Sequence, residues 1–284
     1  MRFDIVHTTT YSYPRPARLG PHDVKLRPRE SPGQRLRLHK LDVVPEPVQW
    51  DEQLDAEGNT VVRMWFDGST QQLQVKSTAI VDVDGGTRAA VELDPDVVRV
   101  PLRYRPPVEE LLQSYRARRS GQAGREAVET LAGTVRRTHG DDTLRWLDGV
   151  AEWLEREVRQ VVREDGGPLP ADEVLAGKVG ACRDLAVTMM ETCRAMGLAA
   201  RFVSGYQEGR PEQKRYLHAW AEVFLPGLGW RAWDPSMGKR VGDSHVAVAH
   251  SAVAGWTTPI FGHFWSERPD SSLAVDIAIV RGPP

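Results

Sequence analysis

Residues 180–197 read GACRDLAVTMMETCRAMG, and the spacing of their apolar side chains decides how this half of the chain is built. Cys182, Leu185, Ala186, Met189, Met190, Cys193 and Met196 recur at intervals of three and four, which is one face of a helix, and Gly197 is a natural stop. Cys182 then falls in the first turn. Free backbone N–H groups and the positive end of the helix dipole favour a thiolate there, and the same N–H groups can receive a developing oxyanion. Cys193 lies eleven residues further on, about 16 Å along the axis, so the two cysteines cannot form a disulfide within the helix. Its methionine neighbours mark it as core. Taken alone, Cys182 reads more readily as a small core side chain than as a nucleophile, as most free cysteines do.

The elements that follow change that balance. Ala200–Tyr206 reads as a short strand, and Tyr216–Leu225 as a second, with His218, Trp220, Glu222 and Phe224 alternating onto one face. Pro226-Gly227-Leu228-Gly229 supplies a turn, and Trp230–Pro235 returns as a partner strand that brings Asp234 one diagonal step from His218. A four-residue loop puts His218 and Asp234 on opposite faces; a three-residue loop or a bulge puts them on the same one. Pro235 cannot donate to a ladder, so pairing is expected to end at Asp234. Alone, His218 is an ordinary strand histidine and Asp234 a turn-former. Together they give a Cys at a helix start, a His on a strand and an Asp at the end of the partner strand, the order of residue types that Cys-His-Asp nucleophilic catalysis needs.

Four ordered segments, Gly180–Asp184, Arg201–Tyr206, His218–Val223 and Gly229–Ser236, resemble the core of the bacterial transglutaminase-like family. The resemblance covers about residues 140 to 282. It implies a papain-like α+β catalytic fold with Cys182 as nucleophile, His218 as base and Asp234 as its orienter. Gly180, Tyr206 and Trp220 are candidates for the substrate cleft. The N-terminal part resembles the β domain that commonly precedes this core, with Asp55–Asn59 similar to its D-x-x-G-N turn. Ser236 stands where family members usually carry Thr. After Val241–Val246 the chain reads Ala247–Gly255 where relatives often have a charged segment.

Upstream, residues 1 to about 104 read as antiparallel β-structure. Phe3, Ile5, His7, Thr9, Tyr11 and Tyr13 alternate on one face, as do Leu73, Val75, Ser77, Ala79, Val81 and Val83, and Asp55–Asn59 reads as a hairpin turn. Prolines at 14, 16, 21, 28, 32, 45 and 47 break any helix. Beyond Pro106-Pro107, Val108–Ala117, Arg125–Arg137 and an amphipathic Thr143–Val162 are helix-compatible. The expectation is an α+β chain with a β domain over 1–105 and the catalytic domain over 106–284, in line with a prior of roughly 150 residues per domain.

The 284 residues carry 37 Lys+Arg against 39 Asp+Glu, a net charge of −2 that argues against a nucleic-acid or membrane-surface partner. Two cysteines are too few for a disulfide scaffold. No stretch reaches the roughly 20 apolar residues of a membrane span and the start lacks an apolar leader, so a cytoplasmic protein is the default. Cys182, His218, His245, His250 and His263 are ligand types without ligand spacing, and neither a metal nor any other cofactor is expected. Ser204 lacks a G-x-S-x-G frame. The expected partner is a peptide or protein whose amide carbonyl, in the backbone or a glutamine side chain, would form a thioester, with hydrolysis placed ahead of amine transfer. A catalytically silent peptide-binding module of the same fold is the alternative. Trp220, Trp230, Trp233 and Trp256 either wall a dry acceptor site or fill a core, and core is the simpler reading.

Overall fold

The computed structural model describes residues 1–84, 98–209, 214–268 and 270–282. It opens with five strands, β1 (Arg2–Val24), β2 (Gln34–Val44), β3 (Gln49–Leu54), β4 (Thr60–Trp65) and β5 (Thr70–Val83). Six helices follow: α1 (Val108–Leu111), α2 (Gln113–Arg116), α3 (Gln122–His139), α4 (Thr143–Glu157), α5 (Ala171–Gly177) and α6 (Cys182–Ala195). Two short strands, β6 (Arg159–Gln160) and β7 (Val179–Gly180), lie among them. The chain ends with β8 (Ala200–Gln207), β9 (His218–Leu225), β10 (Gly229–Asp234), β11 (Lys239–Arg240), β12 (His245–Ser251), β13 (Ile260–Trp265) and β14 (Ser272–Gly282). The α+β expectation holds.

Strand β1 organises the N-terminal sheet. Its first half pairs with β5 and β14, and its second half with β4 and β13. The changeover falls at Pro14 and Pro16, which have no N–H for a ladder, and the β1–β5 register shifts between Ser12 and Ala17. The Asp55–Asn59 turn joins β3 to β4 as expected, with Leu54 opposite Thr60. Strands β13 and β14 are a departure from a division of the chain at residue 105: residues 260–282 return to flank β1. No local pattern announces this, because their partners lie more than 230 positions away in the chain.

Two further elements differ from the sequence reading. The segment from Val98 to Tyr104 joins neither sheet; Val100, Leu102 and Tyr104 are buried in the helical core, with Leu102 N–H on the Met196 carbonyl at 2.8 Å and Tyr104 Oη on that of Phe224 at 2.8 Å. The part of the expected β region over 85–97 lies outside the described residues. Helix α4 stops at Glu157, not Val162, because Arg159–Gln160 leave the helix to pair in parallel with Val179–Gly180.

The second sheet runs β11-β10-β9-β8-β12, and α6 lies on it through Leu185, Ala186, Met189 and Cys193, packed with Ala219, Ala221 and Val223 and with Trp146 of α4. The two sheets share a core of their own, in which Phe3, Ile5, Ala79 and Val81 meet Tyr206, Val246 and Val248. Polar contacts lock the same junction. Glu57 accepts from Ser251 Oγ and Ala252 N–H at 2.9 Å each, Asn59 bonds both backbone groups of His250, and Arg29 joins Arg201 on the Glu222 carboxylate.

Burial pushes His7, His39 and His250 each down to about 4, His250 also through the charges of Arg201 and Arg29. An unfolded histidine titrates near 6.5, so the unfolded chain takes up protons that the folded chain refuses once the pH drops below about 6.5. These groups therefore leave stability intact above that pH and erode it as pH falls from there toward 4. The urea midpoint is expected to be lower at pH 4.5 than at pH 7; an unchanged midpoint would show that these imidazoles are protonated in the fold as readily as in the unfolded chain.

Candidate active site

Helix α6 begins at Cys182 because Asp184 anchors the residue before it. Asp184 is wholly buried; its Oδ2 accepts the Ala181 N–H at 2.7 Å, and its Oδ1 accepts Leu169 N–H at 2.8 Å and Arg163 at 2.6 Å. Arg183 donates to the Arg163 and Asp165 carbonyls at 2.6 Å each, tying the loop after β6 to the helix start. On the other side, Val161 N–H donates to the Gly180 carbonyl at 3.0 Å. The cysteine backbone is thus fixed from both flanks, while its thiol, half-buried, lines a cleft of about 720 Å³ together with Gln160, Arg163, Tyr216, His218 and Ser236.

The register left open by the sequence is set by a three-residue loop. Leu225 pairs with Gly229 and Ala221 with Trp233, so Pro226-Gly227-Leu228 form the turn and the next step places Asp234 beside Trp220, on the face that carries His218. Gly227 makes this turn at φ +84, where a side chain would be strained. His218 Nε2 donates to Asp234 Oδ2 at 2.8 Å, and the Cys182 thiol hydrogen-bonds the same imidazole. With Nε2 occupied, Nδ1 is left for the thiol. Burial alone would lower the His218 pKa, but the Asp234 charge and hydrogen bond, with a smaller contribution from Cys182, hold it up to about 10. Asp234, completely buried, is kept well below the usual carboxylate range: desolvation opposes ionisation, and His218 and His245 overcome it.

The cleft candidates fare differently. Gly180, Tyr206 and Trp220 stand behind the cleft wall rather than in it. Gly180 packs under Leu185, a Cβ there coming within 2.8 Å of its Cδ1. Tyr206 turns to the N-terminal sheet, its hydroxyl 3.0 Å from His7 Nδ1. Trp220 is buried with Val203 and Ala247, because the cleft opens only at the end of β9 where His218 sits. Of the other tryptophans, Trp233 is core, Trp230 stacks with the Arg201 guanidinium at 4.1 Å, and Trp256 lies exposed beside Lys25. Gln160 was not singled out in the sequence, since nothing local distinguishes it; the β6–β7 pairing puts it beside Gly180 and in the cleft.

His218, Asp234 and His245 bring three ligand-type atoms within 4.8 Å of one another, the one such grouping among the described residues. In this arrangement Asp234 Oδ2 accepts from both imidazoles, so the three groups satisfy one another. Among the described residues no helix is long and apolar enough to cross a membrane.

Residues 3–82 match the model of the bacterial transglutaminase-like N-terminal region, and residues 129–235 match that of the transglutaminase-like superfamily. Both halves of the chain thus match transglutaminase-like family models. It is 25% identical over 307 aligned positions to an uncharacterized protein of Mycobacterium tuberculosis, covering 98% of this chain and 92% of the other, and 22% identical to one of Mycobacterium leprae, covering 99% of each. The crystal structure of a "putative cysteine protease" from Cytophaga hutchinsonii superimposes with a TM-score of 0.70 over 100% of this chain and 92% of that one, at 20% identity, which shows a shared fold.

Replacing Asp184 by Ala leaves the Ala181 and Leu169 N–H groups without acceptors and Arg163 without its partner. A loss of about 2–4 kcal/mol is expected from urea unfolding, with a slower thiol reaction at Cys182 in the fraction that remains folded.

Proposed function

We propose that the protein is a thiol acyl-transfer enzyme acting on amide bonds, with Cys182 as nucleophile, His218 as general base and acid, and Asp234 as its orienter. The observation that carries this reading is the position of the His218 imidazole, bonded on one side to a buried carboxylate and on the other to a helix-start thiol at the floor of a cleft. A carboxylate held at Nε2 fixes the tautomer and stabilises the imidazolium that a neighbouring thiolate requires.

In the first half-reaction the Cys182 sulfur bonds to the amide carbon and the carbonyl π-electrons move onto oxygen. The Cys182 N–H, free because it lies in the first turn of α6, is one donor for that oxyanion, and the Gln160 side-chain amide supplies the second. Collapse breaks the C–N bond, the His218 imidazolium passes its Nδ1 proton to the leaving amine, and a thioester remains. His218, now neutral, takes a proton from the incoming nucleophile, whose oxygen or nitrogen bonds to the carbon as the thiolate departs.

Hydrolysis to a carboxylic acid is favoured over amine transfer. Transfer needs a dry acceptor site beside the thioester, and none of Trp220, Trp230, Trp233 and Trp256 lines the cleft, whose rim carries Arg163, Arg183, Lys214 and Arg215. A peptide or protein substrate handled without nucleic acid, membrane or cofactor, in the cytoplasm, completes the reading.

Three experiments test it. Iodoacetamide at pH 6 is expected to label Cys182 faster than a model thiol and to leave Cys193 untouched, since burial raises the Cys193 pKa and removes it from solvent; labelling of Cys182 no faster than the model thiol would overturn the nucleophile. With a peptide substrate in hand, Gln160→Ala is expected to lower kcat by about 10²–10³ with KM little changed, and incorporation of a labelled amine in preference to water would reverse the order of hydrolysis and transfer.

A further inference from the structure

Asp234 does not serve His218 alone. His245, at the start of β12, directs Nε2 at the same Oδ2 atom from 3.0 Å, while Ser236 donates its N–H and hydroxyl to Oδ1 at 2.9 and 2.6 Å. His245 is 3% exposed and Asp234 0%, so no water competes for these positions. A carboxylate oxygen can only accept, which makes His245 the donor at Nε2. Burial pushes the His245 pKa down against the pull of Asp234, which favours the neutral ring, and with its proton at Nε2 the Nδ1 atom accepts the Ser244 hydroxyl at 3.0 Å. The tautomer is therefore fixed from both ends.

We propose that His245 is a positioning residue for the Asp234–His218 pair, aiming the carboxylate and drawing off part of its charge so that the His218 imidazolium is held in place without being over-stabilised. Two donors on one oxygen share its electron density, and each weakens the other's bond. Without His245, Oδ2 would belong to His218 alone and hold its proton more tightly, which suits the thiolate–imidazolium pair but makes a poorer acid toward a leaving amine. The neighbours of His245 leave this balance to Asp234. The Trp220 ring meets its face edge-on with centroids 5.1 Å apart, His218 lies 5.9 Å away ring to ring, and Lys239 across β10 acts on it only by charge. Arg281, Glu208 and Asp243, at the near end of β12, pair with one another. On the far side of His218 stands Cys182.

The inference rests on the proposed triad, and the test separates the two. The rate of Cys182 alkylation by iodoacetamide is measured by peptide mass spectrometry from pH 4 to 10 in the wild type, His245→Phe and His245→Gln. A wild-type plateau at low pH carries the triad; its absence overturns both proposals. Given the plateau, His245→Phe, which fills the site without a donor, is expected to move the basic limb upward by about half a pH unit or more, and His245→Gln, whose amide N–H replaces Nε2–H, to restore it. A purely structural role would lower the melting temperature of both variants and leave the profile of the folded protein where it was; a coincident His245→Phe profile overturns the proposal. Should His245→Phe not fold, ¹⁵N-histidine NMR of the wild type decides: a neutral Nε2–H tautomer at His245 from pH 7 to 9 supports the role, and an Nδ1–H or charged ring overturns it.

Discussion

The buried carboxylate of Asp234 constrains everything around it. An ionised group with no solvent must have all its lone pairs met by donors, and here the donors come from β9, from β12 and from the turn after β10. Meeting that demand fixes the hairpin register, since a one-residue slip would send Asp234 to the opposite face. It also fixes the start of β12 and the direction in which the His218 ring points. Asp184, another buried carboxylate, plays the same part on the helix side, binding the residue before Cys182, the loop at Leu169 and Arg163 at once. Thiol and imidazole meet because two acids, fifty positions apart, each need several partners.

The N-terminal sheet is joined to this arrangement through its back. Glu222 lies on the same strand as His218 and is held by Arg201 and by Arg29 from the N-terminal half; with both guanidiniums present its pKa sits down at about 2 despite its burial. Glu57 and Asn59 hold β12 from the same side, a few residues beyond His245. The strand that carries His218 and the strand that carries His245 are therefore both braced by contacts the second half of the chain cannot make on its own. The return of β13 and β14 to β1 makes the junction a property of both chain ends.

Much of the site was legible because its residues sit on short elements with strong local patterns. The helix from Cys182, the strand with His218 and the hairpin carrying Asp234 follow from periods of 3.6 and 2 and from a Pro-Gly turn. The readings that differed depend on packing. Val158–Val161 suit the apolar face of α4, yet these residues leave it for a two-residue parallel pairing that a sequence period cannot register. Trp220 shares a face with His218 and was a cleft candidate for which core was the simpler reading; it packs in the core with Val203 and Ala247.

The sequence by itself determined the elements, their order and the residue types at their ends, because helical and strand periods and turn-forming glycines are local properties. Tertiary structure alone decided that the loop in the hairpin has three residues, that Gln160 reaches the cleft beside Gly180, and that His245, a histidine without motif or spacing, shares a carboxylate with His218. These are consequences of strand pairing and of buried charge, both of which select their partners by distance in space, over which separation along the chain has no authority.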